Sequence, residues 1–227
     1  MTRSFTQERD RMVDRQIAGR GIRGEPLLRA MRTVPRERFV AERLARFAYD
    51  DSPLPIEAEQ TISQPFIVAW MIEAAGIGEN DRVLEVGGGS GYASAVIGQV
   101  ANTVHAIERH EVLTRAARER LDALGYRNIH LRTGDGTLGW PDGAPFDAIL
   151  VSAAGPEVPP PLKDQLAIGG RLVMPLDLGD SGQAQQLLKV VRTGESTYDQ
   201  EVLGSVAFVP LIGRHGWSEQ GLEPGTH

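Results

Sequence analysis

Three carboxylates and a run of glycines carry the chemistry this sequence suggests. Glu85 lies in the apolar run Val83-Leu84-Glu85-Val86, which leads straight into Gly87-Gly88-Gly89-Ser90-Gly91. A buried strand that enters a glycine turn and then a helix lets backbone approach a ligand closely and points free N–H groups at it. The dinucleotide fingerprint GxGxxG is not met, because Tyr92 stands in the third place. What stands is GxGxG at Gly87, Gly89 and Gly91, a pattern that favours a nucleoside without a pyrophosphate. Glu108 closes the next β-rich run about twenty residues on, where a carboxylate accepts both ribose hydroxyls. Asp135, inside Gly134-Asp135-Gly136, falls one strand further along, where a carboxylate accepts an adenine amino group. Glu85 is costly to bury alone and is expected to accept from an ammonium or from loop N–H groups. Singly, these features also read as a tight βα turn, a solvated strand end and a turn aspartate. At three successive strand ends they suit a ligand with ribose, adenine and a cationic amino-acid end. S-adenosylmethionine is such a ligand.

Composition narrows the classes that remain. The chain has 227 residues, no cysteine, and a formal net charge of −6 from 24 Lys+Arg against 30 Asp+Glu. Without cysteine there is no disulfide, thiolate metal site or thiol nucleophile. The five histidines have no metal-ligand spacing, so no metal is expected. A mildly acidic chain argues against gripping nucleic acid through phosphates. The N-terminal Met1–Gln16 stretch has no apolar export core, and the apolar stretch Phe66–Ile72 meets Glu73 long before a bilayer is spanned. The expected setting is the cytoplasm, away from membranes, and the expected state is a monomer.

These residues need elements to position them. The first sixty residues read as a helical lobe: an amphipathic helix over Gln7–Ala18, a second opened by Pro26 and a third opened by Pro35. Asp50 to Pro55 is expected to be extended because of its prolines. A helix over Gln64–Ala75 follows. Strands are expected at Val83–Val86, Val104–Glu108, Ile129–Arg132, Ala148–Ser152 and Arg171–Pro175, with helices at Tyr92–Val100, Glu111–Leu124 and Pro161–Ala167. Alternating strand and helix predicts an α/β fold, a doubly wound, mostly parallel, Rossmann-like sheet covered on both faces. Leu187–Thr193 and Val202–Val209 are joined by a link too short for a crossover, which predicts an antiparallel edge hairpin. The expected division is 1–60 for the lobe and crossing segment, 61–213 for the core and 214–227 for a tail, with Gly221–His227 frayed.

The glycine loop VLEVGGGSGYASAVI resembles that of class I S-adenosylmethionine-dependent methyltransferases. More specifically, the chain resembles the protein-L-isoaspartate O-methyltransferases. The stretches MVDRQIAGRGI, VPRERFV, LPI, QTISQPFIVAWM, GDGTLGWPDGAPFDAILVSAA, GGRLVMPL and FVPL occur in the family's order and cover nearly all of the chain. The resemblance implies methylation of the α-carboxylate of L-isoaspartyl residues in peptides and proteins, with S-adenosylmethionine as cofactor. It implies Ser63 as the active-site serine. Cofactor contacts fall on Gln60, Thr61, Ile62, Glu85, Gly87, Gly89, Ser90, Glu108, Asp135 and Gly136. Substrate contacts fall on Ser63, Gln64, Val209, Pro210 and Leu211, in the Phe208–Leu211 stretch that shapes a peptide groove. One departure stands out. Bacterial members usually read LPIGxGQTIS, whereas this chain has Glu57 and Glu59 at the two glycine positions. Glycines there allow φ > 0 or close approach. The glutamates are expected to stiffen the segment or to add negative charge beside an anionic substrate.

The chemistry agrees with the composition. A carboxylate is already ionised at neutral pH, with a pKa of roughly 3.5, so attack on a sulfonium methyl needs no general base. Positioning and exclusion of water supply the rate. Ser63 also reads as an N-cap ahead of Gln64-Pro65, and the two roles are compatible. The alternatives are a related carboxyl methyltransferase dedicated to one peptide or protein, an NAD-type oxidoreductase, and a non-catalytic adaptor. Tyr92 argues against the oxidoreductase, and the presence of Ser63 with the cofactor carboxylates argues against the adaptor. The Asn/Asp-Pro-Pro-aromatic motif of amine methyltransferases is absent after the fourth strand, where Ser152-Ala153-Ala154-Gly155-Pro156 stands.

Overall fold

A computed structural model describes residues 4–177, 184–219 and 221–224. The central sheet has seven strands: β1 Arg82–Val86, β2 Thr103–Glu108, β3 Ile129–Thr133, β4 Phe146–Val151, β5 Leu166–Leu176, β6 Gln185–Arg192 and β7 Tyr198–Val206. Their order is β3-β2-β1-β4-β5-β6-β7. β1 to β5 run parallel, and β6 and β7 are antiparallel to their neighbours. The parallel strands are joined by α4 (Tyr92–Gly98) and α5 (Glu111–Ala123), by short 3₁₀ turns between β3 and β4, and by α6 (Pro160–Asp164), which precedes β5. The order in which successive strands are added reverses between β1 and β4, which leaves a crevice at their carboxyl ends, where ligands bind in sheets of this type.

Alternation along the strands divides the core in two. Val83, Val104, Ala148, Leu150 and Val173 face one buried cluster, and Leu84, Ile107, Ile149, Val151 and Leu172 face the other. Glu85 falls in phase with Val83, so it points to the first cluster, the side covered by α3 (Pro65–Ala75) and α4. The N-terminal lobe packs into that same cluster through Met12, Ile17, Met31 and Phe39.

Several boundaries differ from the sequence reading. The first helix is α1 (Phe5–Met12), opened by a Ser4/Gln7 capping box. It loosens into a π-helical turn at Val13–Ile17 and a 3₁₀ turn at Ala18–Arg20, and Gly21 closes it at φ 104°. α2 spans Glu25–Thr33. The expected helix after Pro35 is instead two 3₁₀ turns, Arg36–Phe39 and Glu42–Phe47. Val40 is extended between them, which keeps a regular helix from forming. The crossing segment makes a small antiparallel ribbon, Leu54–Pro55 against Thr61–Ile62. The expected helix over Pro161–Ala167 stops at Asp164, because Leu166 already belongs to β5. The last sheet strand ends at Val206, not Val209, so Phe208–Leu211 is a crossing segment bonded to Ala154 through Val209 O and Leu211 N.

The C-terminal stretch is not frayed where it is described. Trp217–Ser218 pairs with Gly221–Pro224, and Trp217 is buried with its indole N–H donating to Ala154 O at 3.0 Å.

Candidate functional site

At the carboxyl ends of β1, β2 and β4 lies a cavity of about 360 Å³. Its walls are the glycine loop, Glu85, Glu108, the Gln60–Ser63 segment, Gly136, Ser152 and the Val209–Leu211 crossing. Gly87, Gly89 and Gly91 have φ of 88°, 51° and 87°, a region that residues with a Cβ rarely enter. Four of the loop N–H groups are engaged within the protein, contrary to the sequence expectation that they are free. Gly87 and Gly88 donate to Ile107 O at 2.8 and 3.1 Å, Gly89 donates to Glu108 Oε2 at 3.0 Å, and Gly91 donates to Gly88 O at 2.8 Å. A loop with most of its donors spent internally offers a poor cradle to a pyrophosphate. It offers close backbone approach to an uncharged nucleoside instead.

Glu108 is pinned twice, since its Oε1 also accepts from His110 N at 2.9 Å. A carboxylate has roughly four lone-pair sites, so capacity remains for hydroxyl donors. Glu85 is 1% exposed, and its Oε2 accepts from the Ser94 hydroxyl on α4. Burial pushes its pKa up to about 8, with Glu108 adding to the rise and the Ser94 hydrogen bond opposing it. Its environment thus lacks a cation, and an ammonium group would supply one. Ser90 is buried and lines the cavity, while its carbonyl accepts from Arg120 Nη1 at 3.4 Å.

Asp135 is set apart from this wall. Its Oδ1 accepts from Thr137 N and Oγ1 at 2.9 and 2.7 Å, and its Oδ2 accepts from Arg214 N at 2.8 Å. The side chain caps a 3₁₀ turn and ties down the chain at Arg214, and of the Gly134–Gly136 triplet only Gly136 borders the cavity.

Ser63 stands where two cavities meet. A second space of about 270 Å³, lined by Pro53, Gln64, Ile67, Ala207 and Phe208, shares Thr61, Ser63, Ser152 and Val209 with the first. The N-cap expectation fails here: Gln64 is the N-cap of α3, with Pro65 in its first turn and no side-chain capping bond. Among the described residues the Ser63 hydroxyl makes no hydrogen bond. Its carbonyl accepts from the buried Arg36 guanidinium, Nη2 to O at 2.8 Å. Gln60, Thr61 and Ile62 border the larger space, Gln64 the smaller, and Pro210 and Leu211 the larger.

The two unusual glutamates divide. Glu57 pairs with Arg120 on α5 at 2.8 Å, and Glu59 borders the larger cavity. Ala58 and Glu59 hold φ of 56° and 57°, in the left-handed region where the related pattern carries glycine at the second place. Sequence reasoning missed Arg36, Ser94, Arg120 and Ser152. Ser94 carried a faint signal as a polar residue on the sheet-facing side of an otherwise apolar helix; Arg36 carried none, because a buried arginine looks like a surface one until the lobe folds.

Comparison with known proteins agrees with this geometry. The sequence profile of the protein-L-isoaspartate(D-aspartate) O-methyltransferases matches residues 7–216. The chain is 53% identical over 215 residues to protein-L-isoaspartate O-methyltransferase 2 of Pelobacter propionicus, covering 95% of each chain. It is 54% identical over 221 residues to protein-L-isoaspartate O-methyltransferase 1 of Rhodopseudomonas palustris, covering 97% of this chain and 89% of that one. A solved protein-L-isoaspartate O-methyltransferase superposes with a TM-score of 0.83 at 28% identity, covering 92% of this chain and 67% of that one. A Plasmodium falciparum structure in complex with S-adenosyl-L-homocysteine shares the fold, with a TM-score of 0.77 at 23% identity over 90% of this chain and 98% of that one. With the cavity, the glycine loop and Ser63 all inside the matched span, the chain belongs to the protein-L-isoaspartate(D-aspartate) O-methyltransferase family.

Proposed function

We propose that this enzyme methylates the α-carboxylate of L-isoaspartyl residues in damaged peptides and proteins, using S-adenosylmethionine. The observation that carries the reading is the position of Ser63, with an unengaged hydroxyl at the junction of the two cavities. The larger space, at about 360 Å³, lies within the usual range for cofactor pockets. Its residues fit the cofactor: Glu85 for the ammonium, the glycine loop and Ser90 for the body, Glu108 for the ribose, and Gly136 with its neighbours near the adenine. Asp135 is assigned to the support of that adenine edge, because it does not line the cavity and instead ties Thr137 and Arg214 together. When bound, S-adenosylmethionine supplies a sulfonium-activated methyl that passes to a carboxylate oxygen as the carbon–sulfur bond breaks, with no proton transferred.

The protein's part is to position and to exclude water. Ser63 donates its hydroxyl to the substrate carboxylate and turns one oxygen toward the larger cavity. Gln64, Val209, Pro210 and Leu211 hold the peptide around it. Among the described residues no cluster of histidine and acidic side chains could hold a metal, and none is needed for an ionised nucleophile. The Glu57–Glu59 segment is the feature that favours an enzyme dedicated to one target; the Glu57 charge is met by Arg120, while Glu59 borders the larger cavity. We assign the enzyme to the cytoplasm as a monomer that binds neither nucleic acid nor membrane. No helix among the described residues is long and apolar enough to cross a bilayer.

The test compares methyl transfer to an isoaspartyl peptide and to the matching aspartyl peptide. Strong preference for the isoaspartyl form is expected, and equal turnover on both would overturn the reading.

A further inference from the structure

A buried positive charge sits one carbonyl away from Ser63. Arg36 is fully buried and makes no ion pair among the described residues. Its Nε donates to Ala48 O and its Nη2 to Ser63 O, both at 2.8 Å, and its guanidinium lies 4.7 Å from the Tyr92 ring. The remaining Nη1 is buried without a hydrogen-bond partner among the described residues. Carboxylates of the same lobe are engaged elsewhere: Asp51 pairs with Arg20 at 2.7 Å, and Glu37 accepts from the Tyr49 hydroxyl. Burial lowers the Arg36 pKa to about 10, which still leaves it charged at neutral pH.

An ion held out of water without a counter-ion is costly. Two backbone carbonyls and an aromatic face soften that cost but do not cancel a charge. Asp51 acts on Arg36 only from beyond ion-pair distance, its own pair being with Arg20, so what this corner lacks is a directly paired anion, and the substrate brings one. A carboxylate that accepts from the Ser63 hydroxyl enters the field of a cation anchored to the same residue. Esterification then removes the anion, so the attraction exists for the substrate and vanishes for the product.

We propose that Arg36 is a positioning residue that acts through Ser63, fixing its segment and favouring the charged carboxylate of the substrate over the neutral ester of the product. The inference rests on the isoaspartyl reading given above. It also accounts for an enzyme of net charge −6 taking an anionic group: the local cation, not the total charge, sets the field at Ser63. Tyr92 begins α4 directly after the glycine loop, so the same guanidinium joins the cofactor loop and the substrate serine through the lobe.

The experiment uses the full chain saturated with S-adenosyl-L-homocysteine. It measures affinity for an isoaspartyl peptide and for the same peptide with its α-carboxylate replaced by a carboxamide. The wild type is expected to prefer the carboxylate by about tenfold or more, as for opposite charges several ångströms apart at an effective dielectric near 20. Arg36→Met is expected to collapse that ratio toward one while carboxamide affinity stays within about twofold, and Arg36→Lys to keep most of the ratio. In turnover, Arg36→Met raises KM for the isoaspartyl peptide, in step with its loss of carboxylate affinity. Loss of affinity for both peptides alike, or an unchanged ratio, would overturn the proposal in favour of plain structural support. Should Arg36→Met fail to fold, the wild type still decides. A carboxylate preference that persists from about 0.05 to 0.5 M salt supports a buried cation, and one that salt abolishes assigns the field to exposed charges. A wild type with no isoaspartyl preference sinks the functional reading; a wild type with that preference but no Arg36-dependent ratio sinks this inference alone.

Discussion

Ser63 shows how a residue can satisfy a local rule on paper and leave it unused. Ahead of Gln64-Pro65 it has the features of a helix cap, yet Gln64 takes the cap position and Ser63 lines both cavities. Ser63→Ala should therefore spare stability, since no capping bond is lost. Cofactor affinity, read by calorimetry with S-adenosyl-L-homocysteine, should hold within about twofold, while turnover falls by about a hundredfold from lost alignment. Undiminished turnover in that variant would remove Ser63 from the mechanism. Glu85 makes a second prediction at this scale. Free, with its pKa pushed to about 8, it is largely protonated at neutral pH. An ammonium beside it lowers that pKa, so cofactor binding at pH 7 should release a fraction of a proton and tighten as pH rises from about 6 to 8. Calorimetry in buffers of different ionisation enthalpy measures the release directly. No release, or the same release in Glu85→Gln, would mean that Glu85 does not face the ammonium.

Between residue and fold stands the segment from Leu54 to Ile62, a small ribbon that carries the Glu57 turn over the cofactor cavity. Ile56 packs toward Gly89, and Glu57 reaches Arg120, which in turn holds Ser90 O. Ala58 and Glu59 sit in the left-handed region at a cost of about 1–2 kcal/mol each, so the turn is held by its surroundings. The Glu57–Arg120 pair is partly exposed and contributes at most about 1 kcal/mol. Its value lies in ordering the turn before the ligand arrives. Glu57→Gly should weaken cofactor binding by about two- to fivefold at low salt and flatten its salt dependence. Unchanged affinity and an unchanged salt slope would show that the pair does not hold the turn. Elements like the parallel strands were legible beforehand, because Ala148–Val151 is continuously apolar and Val83–Val86 is apolar but for Glu85, each followed by turn residues. The aim of Glu85 at Ser94 on α4 was not legible, since a strand apolar on both faces shows no alternation to assign them. The 3₁₀ turns after Pro35 and the left-handed turn at Ala58–Glu59 were not. Their conformations are imposed by packing that joins residues far apart in sequence, as Arg36 joins Ala48 and Ser63.

At the scale of the whole molecule, the lobe, the sheet and the C-terminal segment share their buried faces. Met12, Ile17 and Phe39 lie in one cluster with Val83 and Val104, and Trp217 reaches Ala154 from the other end of the chain. A titratable group packed into such a body, fully buried like Glu85 or half-buried like His105, therefore reports on the stability of all of it. Two groups act with opposite sign. His105, packed against Trp140 and Phe146 with ring centroids 5.0 and 5.5 Å away, has its pKa lowered by burial to about 4 from 6.5. A depressed folded pKa contributes stability that is complete above about 6.5 and is lost as pH falls through about 4. Glu85 is the reverse: raised from 4.5 to about 8, it contributes stability that is complete below about 4.5 and is lost as pH rises through about 8. Above pH 6.5 only the Glu85 slope remains of the two. The ligand-free enzyme should lose about 1–2 kcal/mol between pH 6.5 and 8, a drop of a few degrees in Tm for a chain of this length. Saturation with S-adenosyl-L-homocysteine restores a cation beside Glu85 and should abolish the drop, and Glu85→Gln should abolish it without ligand. Thermal unfolding across that window, with and without ligand, checks the coupling. A ligand-free Tm that stays level from pH 6.5 to 8 would show that Glu85 is ionised in the free fold, and that the cavity already satisfies its charge before any cofactor enters.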